Sequence, residues 1–474
     1  MAIVGAFMVP HPPLIVHEIG QGEENKIAMS VASYETVAKK IAELAPETIV
    51  ITSPHATLYA DYFHISPGAE AFGNFSRFNA PNVRFHVSYD EQLVASMCEK
   101  AAELGIAAGT KGERDKSLDH GTMVPLYFIN KYCTDYKVVR VGLSGQSYKN
   151  HYMLGECIKL AAENMGKRVV FVASGDLSHV LKADGPYGFR KEGPQYDERI
   201  MEVMGEADFG KLFSFSPDFC ESAAECGHRS FVIMAGALDC TAVHAQKLSH
   251  EGTFGVGYGF CMYDVLSCDE RRNFLEQYEA LERSELDARK KREDEYVRLA
   301  RATIEMYVTT GKMLRVQNGK VVCSDSSVTG WKLSDELLNN RAGAFVSLKK
   351  EGLLRGCIGT IGATCSSLAE EIIANAISAA TRDPRFPPVT ERELPLLVYS
   401  VDVLGAAEKI ASKDELDVKR FGIIVTKGTR RGLLLPNLES VNTVEEQIDI
   451  ACRKAGIDPD ENPDLERFEV VRHY

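Results

Sequence analysis

AIVGAFMVPHPP, residues 2–13, passes from a continuous apolar run into a proline-rich loop that carries His11. The same change from an apolar run to small or polar residues recurs in TIVITSPHAT (48–57), KVVRVGLSGQS (137–147) and RVVFVASGDLSH (168–179). Short runs rich in β-branched residues predict buried strands, here Ala2–Val9, Thr48–Thr52, Lys137–Leu143 and Arg168–Ala173. Ser33–Leu44 and Tyr152–Asn164 carry apolar residues at helical spacing. The alternation predicts an α/β fold with a mixed, mostly parallel sheet flanked by helices.

The bulk composition excludes several classes of protein. The formal net charge of -13 argues against a general nucleic-acid or anionic-membrane surface, and no apolar run approaches the roughly 20 residues of a membrane helix. Pro10 interrupts the first apolar run, which lacks a basic leader, so it is not typical of a signal peptide. The twelve cysteines include no C-x-x-C pair. We therefore expect reduced thiols in the cytoplasm. The sequence leaves open whether the chain forms a homo-oligomer.

The length of 474 residues predicts at least two domains. A charge-dense stretch with amphipathic spacing runs from Cys268 to Tyr307. We place a first domain at residues 1–268, a helical connector at 269–289 and a second domain at 290–474. The elements predicted in the second domain are strands Ala344–Leu348, Leu353–Thr360 and Leu396–Leu404 and a helix at Ser366–Thr381. This order predicts a smaller α+β domain, with a hairpin turn at residues 350–352.

Three histidines occupy the same topological place in the first domain. His11, His55 and His179 each follow a predicted strand, and ligands of open α/β sheets bind beyond the carboxyl ends of the strands. We therefore expect the three imidazoles at one edge of the sheet. Two imidazoles and one carboxylate form the facial triad of non-haem Fe(II) oxygenases, which leaves coordination positions open.

The third metal ligand has two candidates in ESAAECGHRSFVIMAGAL (221–238), a stretch that predicts an apolar helix. Glu225 would suit iron or another hard divalent ion, whereas the Cys226 thiolate would favour zinc or Cu(I). A purely structural interpretation is also open, because a carboxylate is stabilising at a helix N-terminus and free cysteines are often buried.

Four ordered motifs in the first domain resemble the LigB-type class III extradiol dioxygenases: PHPP (10–13), SPHA (53–56), DHGTMVPL (119–126) and SGDLSH (174–179). The same region, with CGHRSF (226–231), is similar to the Memo proteins, which share that fold. The resemblance implies that His11 and His55 bind the metal. It also implies an acid/base role for His179, a second pocket histidine at His120 and a site aspartate at Asp176. Cys226 matches the Memo cysteine better than Glu225 matches the dioxygenase carboxylate.

The dioxygenase resemblance implies an Fe(II) cofactor and a catechol or related small aromatic substrate, with His179 accepting a phenolic proton. The Memo resemblance implies a second hypothesis, a non-catalytic module that binds zinc or copper and presents a substrate or partner to a modifying enzyme. A metal-dependent hydrolase that uses a bound water is a weaker third hypothesis.

The second domain resembles the AMME-syndrome candidate protein family through LRGCIGT (354–360) and DPRFPP (383–388). One hypothesis makes Arg355, Cys357 and Arg385 a cleft in which Cys357 is a nucleophile. The alternative makes Cys357 an inward-facing strand residue, because the sequence shows no neighbouring group that would lower its pKa. The two domains together resemble the AmmeMemoRadiSam systems, which implies a separate radical S-adenosylmethionine enzyme as partner. This chain itself has no C-x-x-x-C-x-x-C motif.

Overall fold

The computed structural model of the chain describes residues 2–323, 328–350, 352–438, 441–458 and 461–474. It divides into two compact units, Met1–Ala280 and Leu281–Tyr474. The division lies inside the charge-dense segment that we chose as the connector. Within the described residues, no helix combines the length and the apolar character needed to cross a membrane.

The first unit alternates strands and helices. Its strands are β1 (Ile3–Val9), β2 (Thr48–Ser53), β3 (Phe63–His64), β4 (Glu70–Phe75), β5 (Ala80–Ser88), β6 (Ala108–Gly109), β7 (Lys137–Gly142), β8 (Val169–Ser174), β9 (Thr241–Glu251) and β10 (Tyr258–Cys268). Its helices are α1 (His17–Gly20), α2 (Ala28–Leu44), α3 (Glu91–Glu103), α4 (His120–Ile129), α5 (Tyr148–Met165), α6 (Glu192–Glu206), α7 (Pro217–Ala223) and α8 (His228–Ala237). Helix α9 (Phe274–Arg292) begins in this unit and ends in the next.

The main sheet of the first unit has the order β7-β2-β8-β1-β10-β9. Strands β7, β2, β8 and β1 are parallel, and β10 and β9 continue the sheet antiparallel. Ala6 and Met8 of β1 belong to the core on one face, and Phe7 and Val9 to the core on the other. Burial on both faces explains the uninterrupted apolar run. The predicted mixed, mostly parallel α/β fold is confirmed.

The topology gathers the motif loops at one edge. Strands β2, β8 and β1 are neighbours, and β1 ends at Val9 opposite Ser174, the last residue of β8. The loops that carry His11, His55 and His179 therefore leave the sheet side by side, as expected for the carboxyl ends of parallel strands.

The helix predicted over residues 221–238 is interrupted. Helix α7 ends at Ala223, Ala224 adopts a left-handed conformation with φ 51°, and α8 begins only at His228. A residue with positive φ ends a helix. Glu225 and Cys226 consequently lie in the loop between two helices.

The second unit has the α+β order predicted for it. Its strands are β11 (Leu314–Gln317), β12 (Lys320–Cys323), β13 (Val328–Lys332), β14 (Ala344–Lys350), β15 (Leu353–Gly359), β16 (Leu397–Leu404), β17 (Glu408–Lys409), β18 (Phe421–Lys427), β19 (Arg430–Leu434) and β20 (Asp464–His473). Its helices are α10 (Glu295–Thr310), α11 (Asp335–Asn339), α12 (Leu368–Thr381) and α13 (Val444–Ala455).

An antiparallel sheet organises the second unit, in the order β15-β14-β16-β20-β18-β19, with β17 paired to β20. The predicted hairpin joins β14 to β15, where Lys350 pairs with Leu353 and Gly352 has φ 79°. Glu351, the middle residue of the predicted turn, lies outside the described residues. Helix α12 buries Ile372 and Ala376 in the core of this unit.

Candidate metal centre

Three side chains from separate loops converge at the edge of the main sheet. The nitrogens of His11 and His55 and the sulfur of Cys226 all lie within 4.8 Å of one another. His11 Nε2 is 3.0 Å from His55 Nε2 and 3.7 Å from Cys226 Sγ. His11 is buried, His55 is exposed and Cys226 is half-buried, so the group is anchored in the protein and open on one side.

The chemistry of this donor set fits a transition-metal ion. Burial and the neighbouring His55 lower the pKa of His11. Partial desolvation of the His55 ring lowers the pKa of His55, although the residue as a whole is exposed. Both imidazoles are therefore neutral at pH 7, the form that binds metals. Two nitrogens only 3.0 Å apart need a proton or a cation between them. Two imidazoles and a thiol suit zinc and copper, and imidazole also suits iron.

Glu225, the other candidate for third ligand, lies at the start of the following helix. Its Oε2 accepts a hydrogen bond of 2.6 Å from the His228 backbone N–H, the first residue of α8. Burial raises the pKa of Glu225 to about 7. The structure thus brings Cys226 to the histidine pair and places the Glu225 carboxylate at a helix N-terminus.

Asp176 supplies a carboxylate beside the histidine pair. Its Oδ1 accepts a 2.7 Å hydrogen bond from the His11 backbone N–H, and its Oδ2 is 4.0 Å from His11 Nε2. Its backbone carbonyl accepts from the Cys226 N–H at 3.4 Å. Burial raises the pKa of the Asp176 carboxyl. Asp176 therefore links the loops that carry two of the converging side chains.

His179 lies in the same loop as Asp176 and presents a free ring nitrogen. Its Nδ1 is 2.6 Å from the Ala224 carbonyl, which can only accept a hydrogen bond, so Nδ1 carries the proton. Nε2 then keeps its lone pair and can accept a proton. The ring of Tyr187 lies edge-on to that of His179, with centroids 5.4 Å apart.

His120, the first residue of α4, joins the same cluster. Its ring centroid is 3.9 Å from that of His55 and 5.4 Å from that of His11. Burial, His55 and His11 lower the pKa of His120 to about 3, so it is neutral at pH 7. The ring of Phe78 lies edge-on to that of His120, with centroids 5.4 Å apart.

A cavity of about 870 Å³ opens beside His55 and His120. Phe72, Phe78, Arg77 and Arg84, which belong to the β4–β5 hairpin and its turn, form part of its wall. Its volume lies in the range of small-molecule sites, about 300–1,000 Å³. Within the described part of the chain, no salt bridge holds Arg77 or Arg84, and both side chains are exposed, although the charge of Arg77 also acts on Asp115 in the same wall.

The second unit brings Cys357 and Arg385 together. Arg385 Nη2 donates to the Cys357 carbonyl at 3.3 Å, and the Cys357 N–H donates to Asp383 Oδ2 at 2.9 Å. Cys357 Sγ is 3.2 Å from Ser347 Oγ on β14. Burial raises the pKa of the half-buried Cys357 thiol, which disfavours the nucleophilic thiolate.

Arg355, the third residue of the predicted cleft, is held by another acidic residue. Its Nε donates to Glu393 Oε1 at 2.8 Å. Arg355 and Arg385 approach the ring of Phe386, with guanidinium carbons 5.9 and 5.5 Å from its centroid. Both charges are already paired with carboxylates, since Arg385 also binds Asp383 at 2.7 Å.

Sequence reasoning missed the polar residues that support the histidines. Ser53, Asp119 and Ser174 contact the converging side chains or each other, and each belongs to a quoted motif. Their presence in those motifs was the available signal. Arg140 on β7, buried and 3.6 Å from Asp119, lies in the quoted stretch 137–147 but outside the four family motifs.

Comparisons with known proteins agree with this architecture. Residues 5–261 match the family described as the catalytic LigB subunit of aromatic ring-opening dioxygenase, and residues 297–473 match the AMMECR1 family. A protein of Clostridium acetobutylicum is 41% identical over 480 residues, which cover 100% of this chain and 99% of the relative. A protein of Thermotoga maritima is 50% identical over 183 residues, 38% of this chain and 98% of the relative.

The solved structure of an uncharacterised protein from Pyrococcus horikoshii is 35% identical, with a TM-score of 0.31, and covers 37% of this chain and 88% of that one. The match over more than half of the chain, with the full-length relative, fixes the family. The chain belongs to the LigB family of aromatic ring-opening dioxygenase catalytic subunits and carries an AMMECR1 domain after its LigB domain.

Proposed function

We propose that the LigB domain is a metal-dependent enzyme that binds one transition-metal ion through His11, His55 and Cys226 and acts on an aromatic diol. The convergence of these three donors within 4.8 Å carries the proposal. The adjoining cavity of about 870 Å³ has room for a substituted aromatic ring. Membership of the LigB family supports ring opening as the reaction.

When bound, an ion such as Fe(II) supplies open coordination positions for a diol and dioxygen. The protein's own groups would then handle the proton and the ring. His179 Nε2, free of the proton held at Nδ1, accepts a proton from the diol. Phe78 and the neutral His120 contact each other and line the cavity next to His55. Both would pack against the aromatic ring of the diol. Asp176 keeps the His11 backbone in place.

The test begins with protein purified without oxygen and loaded with Fe(II). We expect dioxygen uptake and the absorbance of a ring-fission product with catechol or a carboxylated catechol. His11→Ala and His55→Ala should lose the metal, whereas Glu225→Gln should retain it as the matched control. His179→Gln should keep the metal and lose turnover. Iron content equal to wild type in both histidine variants would refute the metal site.

A second candidate function follows from the thiol at the third position. Cys226, in place of a carboxylate, favours zinc or Cu(I) over iron, which suits a non-catalytic metal-binding module. Such a module would work with a partner, for which we propose a radical S-adenosylmethionine enzyme. Tight zinc or copper binding that Cys226→Ser abolishes, with no turnover of any diol, would favour this function over the first.

A further inference from the structure

We propose that the first turn of α4 is a positioning element for both histidines of the metal centre, and that Ser174 sets which nitrogen of His11 binds the ion. The inference rests on the metal site proposed above. Two separate chains of hydrogen bonds lead from this turn, one to His11 and one to His55.

The first chain fixes the proton on His11. Ser174 Oγ is 2.6 Å from the Gly121 carbonyl and 2.9 Å from His11 Nδ1. A carbonyl only accepts, so the single hydroxyl proton of Ser174 goes to Gly121. Towards His11 the hydroxyl must therefore accept, and the proton of the neutral ring lies on Nδ1. Nε2, the nitrogen nearest to His55 and Cys226, keeps its lone pair for a metal.

Pro125 explains why the Gly121 carbonyl needs Ser174. In an α-helix the carbonyl of residue 121 accepts from the N–H of residue 125, and proline has none. The Ser174 hydroxyl fills this position. Gly121 itself has no room for a side chain, because a Cβ would lie 2.4 Å from Ser53 Oγ and 3.4 Å from His55 Cδ2. The proline of the DHGTMVPL motif thus leaves the Gly121 carbonyl to Ser174, and the glycine leaves room for Ser53 and His55.

The second chain holds His55. Asp119 caps α4 by accepting from the Thr122 N–H at 3.1 Å, and its Oδ1 also accepts from Ser53 Oγ at 2.5 Å. Ser53 Oγ in turn accepts from the His55 backbone N–H at 3.2 Å. The buried Arg140 also stabilises the Asp119 carboxylate, with its Nη1 3.6 Å from Asp119 Oδ2. The cap that starts the helix therefore also orients a ligand.

The first measurement is made on metal-free protein. In the full chain labelled with ¹⁵N-histidine, NMR should show His11 with its proton on Nδ1, the signal being assigned by its loss in His11→Gln. Ser174→Ala should move part of the population to Nε2–H. Ser178→Ala is the matched control, because its buried hydroxyl, in the loop that follows β8, donates to the Ala223 carbonyl at the end of α7 without contacting His11. An unchanged His11 signal in Ser174→Ala overturns the inference.

The second measurement is the affinity for Co(II), read from its absorption bands. Ser174→Ala should weaken binding about 10- to 100-fold, the usual effect of losing such a supporting group, and Ser178→Ala should not. Pro125→Ala restores a backbone N–H that competes with the Ser174 hydroxyl for the Gly121 carbonyl. It should weaken Co(II) binding while leaving the thermal stability equal or higher, because it removes a proline from a helix interior.

The outcomes separate the inference from the proposed function. Wild type that binds no Co(II) refutes the metal site, while the NMR result still decides the role of Ser174. Wild type that binds Co(II) with the same affinity as Ser174→Ala refutes the positioning role and leaves the metal site standing. Parallel losses of stability and affinity in Pro125→Ala would indicate a merely structural residue.

Discussion

Cys226 is the single residue that would decide the character of the proposed metal centre. Its sulfur is the third donor beside two imidazoles, whereas the facial triad of non-haem iron oxygenases has a carboxylate as its third ligand. Cys226→Asp should therefore shift metal preference from zinc towards Fe(II), with roughly a tenfold or larger loss of zinc affinity. Metal content after equal exposure to both ions measures the shift. Glu225→Gln is the control, and a similar shift there would contradict the assignment.

The site illustrates what residue types and motif order can predict. His11 and His55 each follow a strand of a parallel sheet. Because loops at the carboxyl ends of such strands lie at one edge of the sheet, the sequence alone predicted that the two histidines are close together. The choice between Glu225 and Cys226 lay beyond sequence, because it depends on the left-handed conformation of Ala224, which ends α7 and leaves both residues in the loop before α8. An alanine at positive φ carries no sequence signal.

Glu156 on α5 predicts a pH dependence of stability. Burial is the main cause that raises the pKa of Glu156 to about 7, and the negative charges of Asp239 and Glu279 add to the increase. The positive charge of Lys159 opposes it. The folded state thus holds the proton more tightly than the unfolded state. Stability from this group is present below pH 4.5 and is lost as the pH rises through 7.

Glu156→Gln should accordingly be more stable than wild type at pH 8, by about 1–2 kcal/mol for this partly exposed group. At pH 4.5 the two proteins should differ little. Urea unfolding of the first unit at both pH values measures this, with Glu163→Gln on the exposed side of α5 as control. Lower stability of Glu156→Gln at pH 8 would show that the carboxylate is well compensated.

Elements with long apolar runs were predictable, and irregular ones were not. The predicted strand Lys137–Leu143 agrees with β7 to one residue, because both faces of that strand are buried. The β4–β5 hairpin was missed, because the exposed Phe72 and the half-buried Gly73 hide the regular alternation of exposed and buried positions in Glu70–Phe75. This missed element forms much of the cavity wall.

Two arginines of the β4–β5 hairpin lead us to expect that the cavity prefers negatively charged substrates. Among the described residues, Arg77 and Arg84 place two exposed guanidinium groups without a salt bridge at the wall, and guanidinium pairs well with carboxylate. Arg77→Ala and Arg84→Ala should each weaken binding of a carboxylated catechol by about 5-fold, the scale of a solvent-exposed ion pair. Binding of neutral catechol should change little.

Calorimetric titration without oxygen measures both ligands. Arg114→Ala is the matched control, because Arg114 stacks on Tyr59 and does not line the cavity. Equal losses for the neutral and the carboxylated diol would show that the arginines shape the hairpin and do not recognise charge.

At the scale of the whole molecule, the two units have separate cores. The clusters around β1 belong to the first unit, and the cluster around α12 belongs to the second. The charge-dense sequence around α9 indicated the change of domain because it has too few apolar residues for a core. Composition could not give the end of the first unit to the residue, since α9 continues through it.

Separate cores predict that a metal stabilises one unit only. An ion that binds the folded first unit at 100 times its Kd adds about 2.7 kcal/mol to the free energy of unfolding, which raises Tm by about 5–10 °C for a unit of this size. Trp331, the single tryptophan of the chain, lies in the second unit, so its fluorescence reports the unfolding of the second unit.

We expect Zn(II) to raise the temperature of the calorimetric transition of the first unit and to leave the transition followed by Trp331 fluorescence unchanged. The variant His11→Ala with His55→Ala should show no shift. Equal shifts of both transitions would mean that the units unfold together.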